Sequence, residues 1–260
     1  MRLKPLCVLC CLCATAVAAS AADTVVLLHG LGRGPASMSR LARDLRADGF
    51  EVHNLAYPSQ RADIRALADT TLGPVFAAPS TDGARIHIVT HSLGGILVRQ
   101  YLHDHGTPAS LGRVVMLAPP NAGSELVDRL RTWSLYRRLN GPAGLQLGTD
   151  DASVPRALGP LPVGTEVGVI AGNVSLNPLF SALISGPDDG KVSVARTHVA
   201  GETGHLTVPY SHTWLMWRRP VPTAVRTFLH TGHFAPADCP SSSAASTFAP
   251  HPQTHLSLNK

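Results

Sequence analysis

Cysteine is scarce in this sequence, and its placement excludes the structural uses that cysteine has elsewhere. Four of the five cysteines lie within the first 13 residues, and the fifth is Cys239. A lone thiol forms no intramolecular disulfide, and a zinc site built on cysteine needs a cluster of them. No other group of residues has a convincing metal-ligand spacing, so we expect this protein to need neither a metal nor a cofactor.

Charged and aromatic residues are also sparse. They make up 15% and 5% of the 260 residues, and the formal net charge is +5. The lysines and arginines are scattered along the chain instead of being grouped with aromatic residues, which is not the pattern of a nucleic-acid-binding surface. We therefore expect no nucleic-acid partner.

Long apolar runs are missing as well, because the run from Leu6 to Ala19 is too short to span a membrane comfortably. Arg2 and Lys4 precede this run, and the small residues Ala19-Ser20-Ala21 end it. A positive start, a short apolar stretch and an A-x-A site are typical of a secretory signal peptide. We predict that residues 1–21 are cleaved and that the mature protein is secreted or periplasmic.

The remaining residues are enough for one domain with a full hydrophobic core, since 44% of the chain is hydrophobic. Apolar segments of strand length alternate with segments of helical periodicity, which predicts an α/β protein with a doubly wound, mostly parallel sheet. We place this domain at residues 22–230 and expect residues 231–260 to form a disordered tail. The predicted strands are Asp23–His29, Glu51–Ala56, Ile86–Val89, Arg113–Ala118, Val167–Ala171 and a short strand within His198–Val208, and one predicted helix is Arg61–Phe76, disturbed near Gly73-Pro74.

Residues 124–164 depart from this alternation. Ser124–Leu139 is amphipathic, with large apolar residues set against four arginines, and this pattern predicts a helix. Asn140–Gly164 is rich in glycine and proline, which predicts a loop. Two interpretations stay open: a cap or lid over a binding site, or an ordinary sheet-covering helix followed by a long loop.

The segment Arg85–Val98 carries the motif that points to chemistry. A buried strand ends near Thr90, Ser92 occupies the turn that follows, and an apolar helical pattern begins directly afterwards. A serine at the apex of a strand-turn-helix unit is the context of a nucleophile elbow. The tight turn needs small residues two positions before and after the serine. Gly94 satisfies this need, whereas Thr90 replaces the first glycine of G-x-S-x-G.

A serine nucleophile needs an imidazole base and a carboxylate that orients the base, and on such a scaffold the chain order is serine, acid, histidine. His212 follows the last predicted strand, where the base belongs, whereas His205 lies at the start of that strand and so at the other sheet edge. For the acid, Asp188 and Asp189 both lie in the turn-rich segment Gly186–Gly190. Either aspartate can cap the turn while the other orients the base.

An oxyanion hole needs two backbone N–H groups aimed at the carbonyl oxygen that becomes negatively charged. Leu93 directly follows the serine and supplies one group, and the loop His29–Gly32 can supply the other from Leu31. We expect His29 to order this loop and His91 to point away from the serine. The glycines of the loop do not fit a dinucleotide-binding fingerprint, because no third glycine falls at the required spacing.

Taken together, the motifs VVLLHGLG, THSLGG, APPNAGS, PDDGKVSV and YSHTWL resemble the small secreted bacterial lipases and esterases of the α/β-hydrolase superfamily, including the lidless minimal lipases of the Bacillus type. The resemblance extends from Thr24 to Leu229. A single residue after H-G resembles lipases that act on medium or long acyl chains, while residues 124–164 have no counterpart in a minimal lipase. The resemblance implies an α/β-hydrolase fold with Ser92 as nucleophile, His212 as base, Asp189 of a D-x-x-V segment as acid, and Leu31 and Leu93 as oxyanion donors.

The sequence thus predicts a secreted serine hydrolase that cleaves carboxylic esters through an acyl-enzyme intermediate. Its partner would be an ester or lipid substrate, with transient contact to a lipid surface. Two alternatives stay open. The same residues can act on a thioester, an amide or a lipid-linked glycan ester, or the chain is a non-catalytic binding module on a hydrolase scaffold.

Overall fold

A computed structural model describes residues 22–78 and 83–235 of the chain, and within these residues six strands form one sheet. The strands are β1 (Thr24–Leu28), β2 (Glu51–Leu55), β3 (Ile86–His91), β4 (Leu111–Leu117), β5 (Val167–Gly172) and β6 (Gly204–Val208). Their order across the sheet is β2-β1-β3-β4-β5-β6, and every neighbouring pair is parallel. The predicted fold class, a doubly wound parallel α/β sheet, is confirmed.

Helices connect the strands and cover both faces of the sheet, as parallel pairing requires. Short 3₁₀ turns precede two of them, at Pro35–Met38 and Leu215–Trp217. The α-helices of the described residues are α1 (Ser39–Ala47), α2 (Ile64–Ala77), α3 (Leu93–His105), α4 (Glu125–Leu130), α5 (Ser134–Leu145), α6 (Val154–Ala157), α7 (Pro178–Ser181), α8 (Val194–Thr197) and α9 (Pro220–Thr231).

The hydrophobic core consists of two clusters, one on each face of the sheet. Val25 and Leu27 of β1 belong to the cluster that includes α1 and α9, whereas Val26 and Leu28 belong to the cluster that includes α2 and α3. Successive side chains of a strand point to opposite faces, so a strand covered on both sides must be apolar throughout. This requirement is why the central strands are largely apolar runs in the sequence, whereas the edge strands β2 and β6 also carry polar residues.

The predicted disturbance at Gly73-Pro74 does not end the second helix. Helix α2 continues through Pro74 to Ala77, although proline cannot donate a backbone hydrogen bond. Leu72 is fully buried, and Phe76 in the last turn packs against the same apolar cluster. Tertiary packing therefore holds the end of this helix against its local preference.

Residues 124–164 are more helical than predicted. The single helix expected over Ser124–Leu139 is split into α4 and α5, and the loop expected from Asn140 onward is wrong in two places, since α5 extends to Leu145 and α6 lies inside it. A kink at Gly141, with φ 64°, allows α5 to pass Gln60, whose carbonyl oxygen would lie 1.9 Å from a Cβ at that position.

Arg99 of α3 explains why the region around α6 is ordered. Its buried guanidinium donates hydrogen bonds to the carbonyl oxygens of Asn121, Pro155 and Gly159, at 2.7, 2.9 and 2.7 Å. Burial lowers the pKa of Arg99 to about 10. One side chain of the main body thus anchors both ends of the α6 segment, a long-range contact that glycine and proline content does not reveal.

At its two ends the chain is described only from residue 22 and only to residue 235. The predicted signal peptide and Cys239 lie outside the described residues, as do residues 236–260 of the predicted tail. Thr231 ends α9, and the ring of Phe234 packs 4.9 Å from that of Phe228. Among the described helices, none combines the length and the apolar character that crossing a membrane would take.

Replacement of Phe228 tests how much the packing of α9 against the sheet stabilises the fold. It is fully buried, and its ring lies so close to β5 that a Cβ on Gly168 would approach it to 2.7 Å. We expect Phe228→Ala to lower the free energy of unfolding by about 3–5 kcal/mol, because it leaves a large cavity. Urea denaturation followed by circular dichroism measures this. Thr223→Ala, at an exposed position of the same helix, is the control, and a loss no larger than that of the control would contradict this explanation.

Candidate active site

Ser92 lies in the turn between β3 and α3, at the carboxyl edge of the sheet. Its backbone has φ 52° and ψ −119°, in the left-handed half of conformational space that non-glycine residues rarely adopt. The Ser92 N–H donates a hydrogen bond of 2.8 Å to the carbonyl oxygen of Leu117 in the neighbouring strand β4. The abrupt strand-turn-helix unit predicted from the sequence is present, with the serine at its apex.

Two glycines make this turn possible. A Cβ on Gly94 would lie 3.0 Å from the Leu28 carbonyl oxygen, so only glycine lets α3 start this close to β1. A Cβ on Gly95 would lie 3.1 Å from Pro119 and 3.3 Å from the hydroxyl of Thr90. Thr90 is fully buried. Gly95 therefore gives space to the side chain that replaces the motif's first glycine, a role that the sequence analysis missed.

The structure brings three of the predicted residues together. His212 Nε2 lies 3.0 Å from Ser92 Oγ, and His212 Nδ1 lies 2.7 Å from Asp189 Oδ2. The three side chains come from three different loops at the same edge of the sheet. The Asp189 side chain has no solvent exposure, and that of His212 is 6% exposed.

Asp189 is held by several further bonds. Its second oxygen, Oδ1, accepts hydrogen bonds from the backbone N–H groups of Lys191 and Val192 at 3.0 and 2.8 Å. Its own carbonyl oxygen accepts the N–H of His212 at 2.9 Å. Donors on both carboxylate oxygens compensate for burial of the charge, and they leave the Asp189 side chain one orientation.

The structure shows different hydrogen-bond partners for Asp188 and Asp189, which the turn-rich sequence around them did not distinguish. Asp188 Oδ1 accepts the N–H of Gly190 at 2.7 Å, and Asp188 Oδ2 accepts the hydroxyl of Ser181. Asp188 therefore fixes the turn and connects it to α7. Asp189 contacts the imidazole.

His91 adjoins the serine but contacts the loop of His212. Its Nε2 lies 3.0 Å from the His212 carbonyl oxygen, and the two rings are 4.9 Å apart. Complete burial, followed by the positive charges of His212 and Arg33, holds the pKa of His91 well below its usual value. A neutral His91 that donates from Nε2 supports the backbone of His212, and no motif in the sequence indicated this contact.

His29 orders the loop that carries Leu31, as predicted. Its ring stacks on Tyr57 with 4.1 Å between centroids, and the Tyr57 hydroxyl donates to the His29 carbonyl oxygen. Burial lowers the pKa of His29 and raises that of Tyr57, so both groups stay uncharged near neutral pH. The N–H of Gly32 also donates to the Ser59 hydroxyl at 3.0 Å.

The backbone amides of Leu31 and Leu93 are available to a ligand. Neither N–H donates to an acceptor within residues 22–78 and 83–235. Leu93 is the first residue of α3, where a backbone N–H has no partner inside the helix. Leu31 lines the same cavity as Ser92.

This cavity has a volume of about 310 Å³ and opens beside Ser92 and His212. Much of its wall comes from α4, α5 and the residues that follow, which means that the segment 124–164 covers the site. Arg33 and Lys191 are the charged side chains of the wall other than the histidines. Its large apolar lining residues are Leu31, Leu126, Val127, Leu130, Tyr136, Leu139, Leu147, Phe180 and Val192.

A group with metal-ligating atoms lies away from this cavity. His198, Glu202 and His205 each place one such atom within 4.8 Å of the others, which the sequence analysis did not detect. His198 Nδ1 already bonds Glu202 at 2.6 Å, and the two imidazole rings stack at 3.8 Å with 18° between their planes. His205 Nε2 lies 2.9 Å from the hydroxyl of Thr197, so one ring nitrogen of each histidine takes part in a hydrogen bond within this turn.

The fold and the elbow agree with a family model. The model described as "Alpha/beta hydrolase family" matches residues 25–246. The chain belongs to the α/β-hydrolase family. No curated protein matches this hydrolase.

Solved structures of bacterial hydrolases share its fold. The mature form of Bacillus licheniformis lipase BlEst2 is 19% identical, with a TM-score of 0.60, and the match covers 81% of this hydrolase and 92% of that chain. Phospholipase PlaB from Legionella pneumophila is 20% identical, with a TM-score of 0.58 over 74% and 53% of the two chains. The metagenomic carboxyl esterase MGS0156 is 22% identical, with a TM-score of 0.56 over 75% and 65%. At these identities the likeness concerns the fold.

The hydrogen bond from the Tyr57 hydroxyl to the His29 carbonyl oxygen can be tested by its effect on stability. We expect Tyr57→Phe to lower the free energy of unfolding of this hydrolase by about 1–3 kcal/mol, because the buried carbonyl of His29 loses its donor. Chemical denaturation measures the change. The control is Tyr136→Phe, which removes a hydroxyl that makes no hydrogen bond in the described part of the chain. Equal stability of the two variants would show that the Tyr57 hydroxyl does not hold the loop.

Proposed function

We propose that this α/β-hydrolase cleaves carboxylic esters, with Ser92 as nucleophile, His212 as general base and Asp189 as the acid that orients it. The observation that supports this most strongly is the unbroken series of hydrogen bonds from Ser92 Oγ through His212 to Asp189, at 3.0 and 2.7 Å. These distances are the ones that proton transfer from a serine to an imidazole requires. The series ends in a cavity with an apolar wall.

In the first step Ser92 Oγ attacks the ester carbonyl carbon while His212 Nε2 takes the hydroxyl proton. The N–H at Nδ1 of His212 donates a hydrogen bond to Asp189 Oδ2. The lone pair of Nε2 is therefore left facing the serine. The negative charge that develops on the carbonyl oxygen is stabilised by the N–H groups of Leu31 and Leu93. Preorganised donors of this kind each contribute about 10²–10³ in rate.

In the second half of the reaction the same groups work in reverse. The tetrahedral intermediate collapses, His212 gives its proton to the leaving alcohol, and the acyl group stays on Ser92. A water molecule then attacks the acyl-enzyme with His212 again as base, which releases the carboxylic acid. Asp189 holds the imidazole in place throughout, because two backbone N–H groups fix its carboxylate.

The apolar wall of the cavity accommodates the acyl chain, and the surface around it suits contact with lipid. Trp133, Leu176 and Leu179 are 63%, 67% and 78% exposed, and they lie on the segments whose Leu139 and Phe180 line the cavity. Large exposed apolar side chains beside a cavity are typical of a binding surface. Transient contact with a lipid surface, and export by a signal peptide at residues 1–21, complete this proposal.

Two other functions use the same residues differently. A relay of this geometry also cleaves thioesters, amides or glycan-linked esters, and a panel of 4-nitrophenyl esters beside a matched amide and thioester separates these activities. A non-catalytic binding module would have no need of an aligned Ser92 and His212. A fluorophosphonate probe that labels the wild type and not Ser92→Ala distinguishes an enzyme from such a module.

The two aspartates provide a matched pair of variants. We expect Asp189→Asn to lower kcat by about 10⁴, because an amide cannot hold His212 in the required tautomer. Asp188→Asn should lower kcat less than tenfold and act mainly on stability, since Asp188 fixes only the turn. Steady-state hydrolysis of 4-nitrophenyl octanoate measures both. A larger loss of kcat in Asp188→Asn would reassign the acid.

Two leucines of α5 test the acyl pocket. Both leucines are exposed, Leu139 by 56% and Leu135 by 66%, but only Leu139 lines the cavity. We expect Leu139→Asp to lower the ratio of kcat/KM for octanoate over acetate esters by about tenfold, since a carboxylate beside the chain opposes burial of several CH₂ groups. Leu135→Asp should leave the ratio unchanged. Equal ratios in all three proteins would place the acyl chain elsewhere.

A further inference from the structure

Two cations in the cavity wall have no carboxylate partner among the described residues. Lys191 makes no side-chain hydrogen bond and no ion pair within the described residues. The guanidinium of Arg33 donates a single long hydrogen bond, 3.4 Å, to the carbonyl oxygen of Thr213 and has no carboxylate within ion-pair distance among those residues. Both side chains line the cavity together with Ser92 and His212.

The nearest anion does not neutralise them. Asp189 has no exposed side-chain surface, and its carboxylate is already occupied by His212 and by two backbone N–H groups. Crowding by surrounding protein atoms, followed by the charge of Arg33, lowers the pKa of Lys191, whereas the charge of Asp189 raises it, so the two cations repel each other. Lys191 nevertheless keeps solvent-exposed surface, and Arg33 is half-buried. Other arginines of the fold behave differently, since Arg131 and Arg196 pair with carboxylates at 2.7 Å. Two like charges in the wall of one cavity, without a carboxylate partner, attract a ligand that supplies the counter-charge.

The chain elements that carry these cations indicate which part of a substrate they meet. The carbonyl that Arg33 contacts belongs to Thr213, which directly follows His212. The backbone N–H of Lys191 donates to Asp189. Arg33 therefore contacts the chain next to the base, and Lys191 lies two residues after the acid that orients the base. His212 protonates the departing alcohol, so we expect both cations to lie near the alcohol part of the substrate. The apolar wall comes mainly from α4 and α5.

We propose that Arg33 and Lys191 form an anion-binding subsite for the alcohol part of the substrate. The preferred substrate is then an ester with an apolar acyl chain whose alcohol carries a phosphate diester or a carboxylate. This inference rests on the ester hydrolysis proposed above and adds the charge of the substrate to it. The anion removes the repulsion between the two cations, so its binding energy is available in both the ground state and the transition state.

Two esters that differ only in charge test the subsite. They are 3-(octanoyloxy)benzoate and the neutral 3-(octanoyloxy)benzamide, with release of the phenol followed by chromatography. We expect the wild type to prefer the benzoate by about tenfold in kcat/KM, the usual size of one charge-assisted contact in a partly open site. Lys191→Met and Arg33→Met should each lose most of this preference, chiefly through KM, and added salt should weaken it in the wild type.

Two further variants serve as controls. Arg43→Met removes a cation from the exposed surface of α1, outside the cavity wall, and should keep the full preference for the benzoate. Lys191→Arg retains the charge and should also keep a preference. A general effect of net charge would also lower the preference in Arg43→Met. A loss caused by misfolding at position 191 would also appear in Lys191→Arg.

A second pair of substrates identifies the source of the anion. Dioctanoyl phosphatidylglycerol and neutral dioctanoylglycerol, each in mixed detergent micelles, are compared in the same variants. A Lys191-dependent preference in both pairs assigns phospholipids, and a preference in the benzoate pair alone assigns soluble anionic esters. Equal rates within both pairs, or a preference that survives Lys191→Met and Arg33→Met, would overturn the subsite. Hydrolysis that persists in Ser92→Ala would instead overturn the proposed function.

Discussion

The left-handed backbone of Ser92 is the constraint on which the rest of the site depends. A non-glycine residue at φ 52° costs about 1–3 kcal/mol, which only a well-packed surrounding can offset. Here the strand before the serine is buried on both faces, and the helix after it begins against β1 because residue 94 has no side chain. The turn therefore places the hydroxyl at the carboxyl edge of the sheet. The loops that follow the other parallel strands begin at the same edge.

Around this fixed point the polar groups are arranged so that each is held by another. Asp189 is fixed by backbone amides, His212 by Asp189, and the backbone of His212 by both Asp189 and His91. Almost every group in this network is buried, so the loss of one partner leaves the next without compensation. Such mutual support lets three distant loops present their side chains within hydrogen-bonding distance.

The cavity is lined by both apolar and charged side chains, which come from different parts of the chain. The segment 124–164 contributes apolar side chains and is tied to the body through Arg99, whose hydrogen bonds reach across long stretches of sequence. The same cavity is lined by Arg33 and Lys191, cations without a carboxylate partner among the described residues. A cavity that combines apolar side chains with unneutralised cations favours a ligand that is itself amphipathic.

Local pattern alone determined the parallel sheet, the elbow at Ser92 and the position of His212, because buried strands must be apolar and a tight turn must be small. Tertiary structure decided the rest. It distinguished Asp189 from Asp188, which share the same turn chemistry, by which carboxylate faces the imidazole. It also extended α5 past Asn140 and placed Lys191 and Arg33 in the wall of one cavity, although 158 positions separate them. Those outcomes depend on contacts between segments far apart in the chain, and no window of sequence contains both partners.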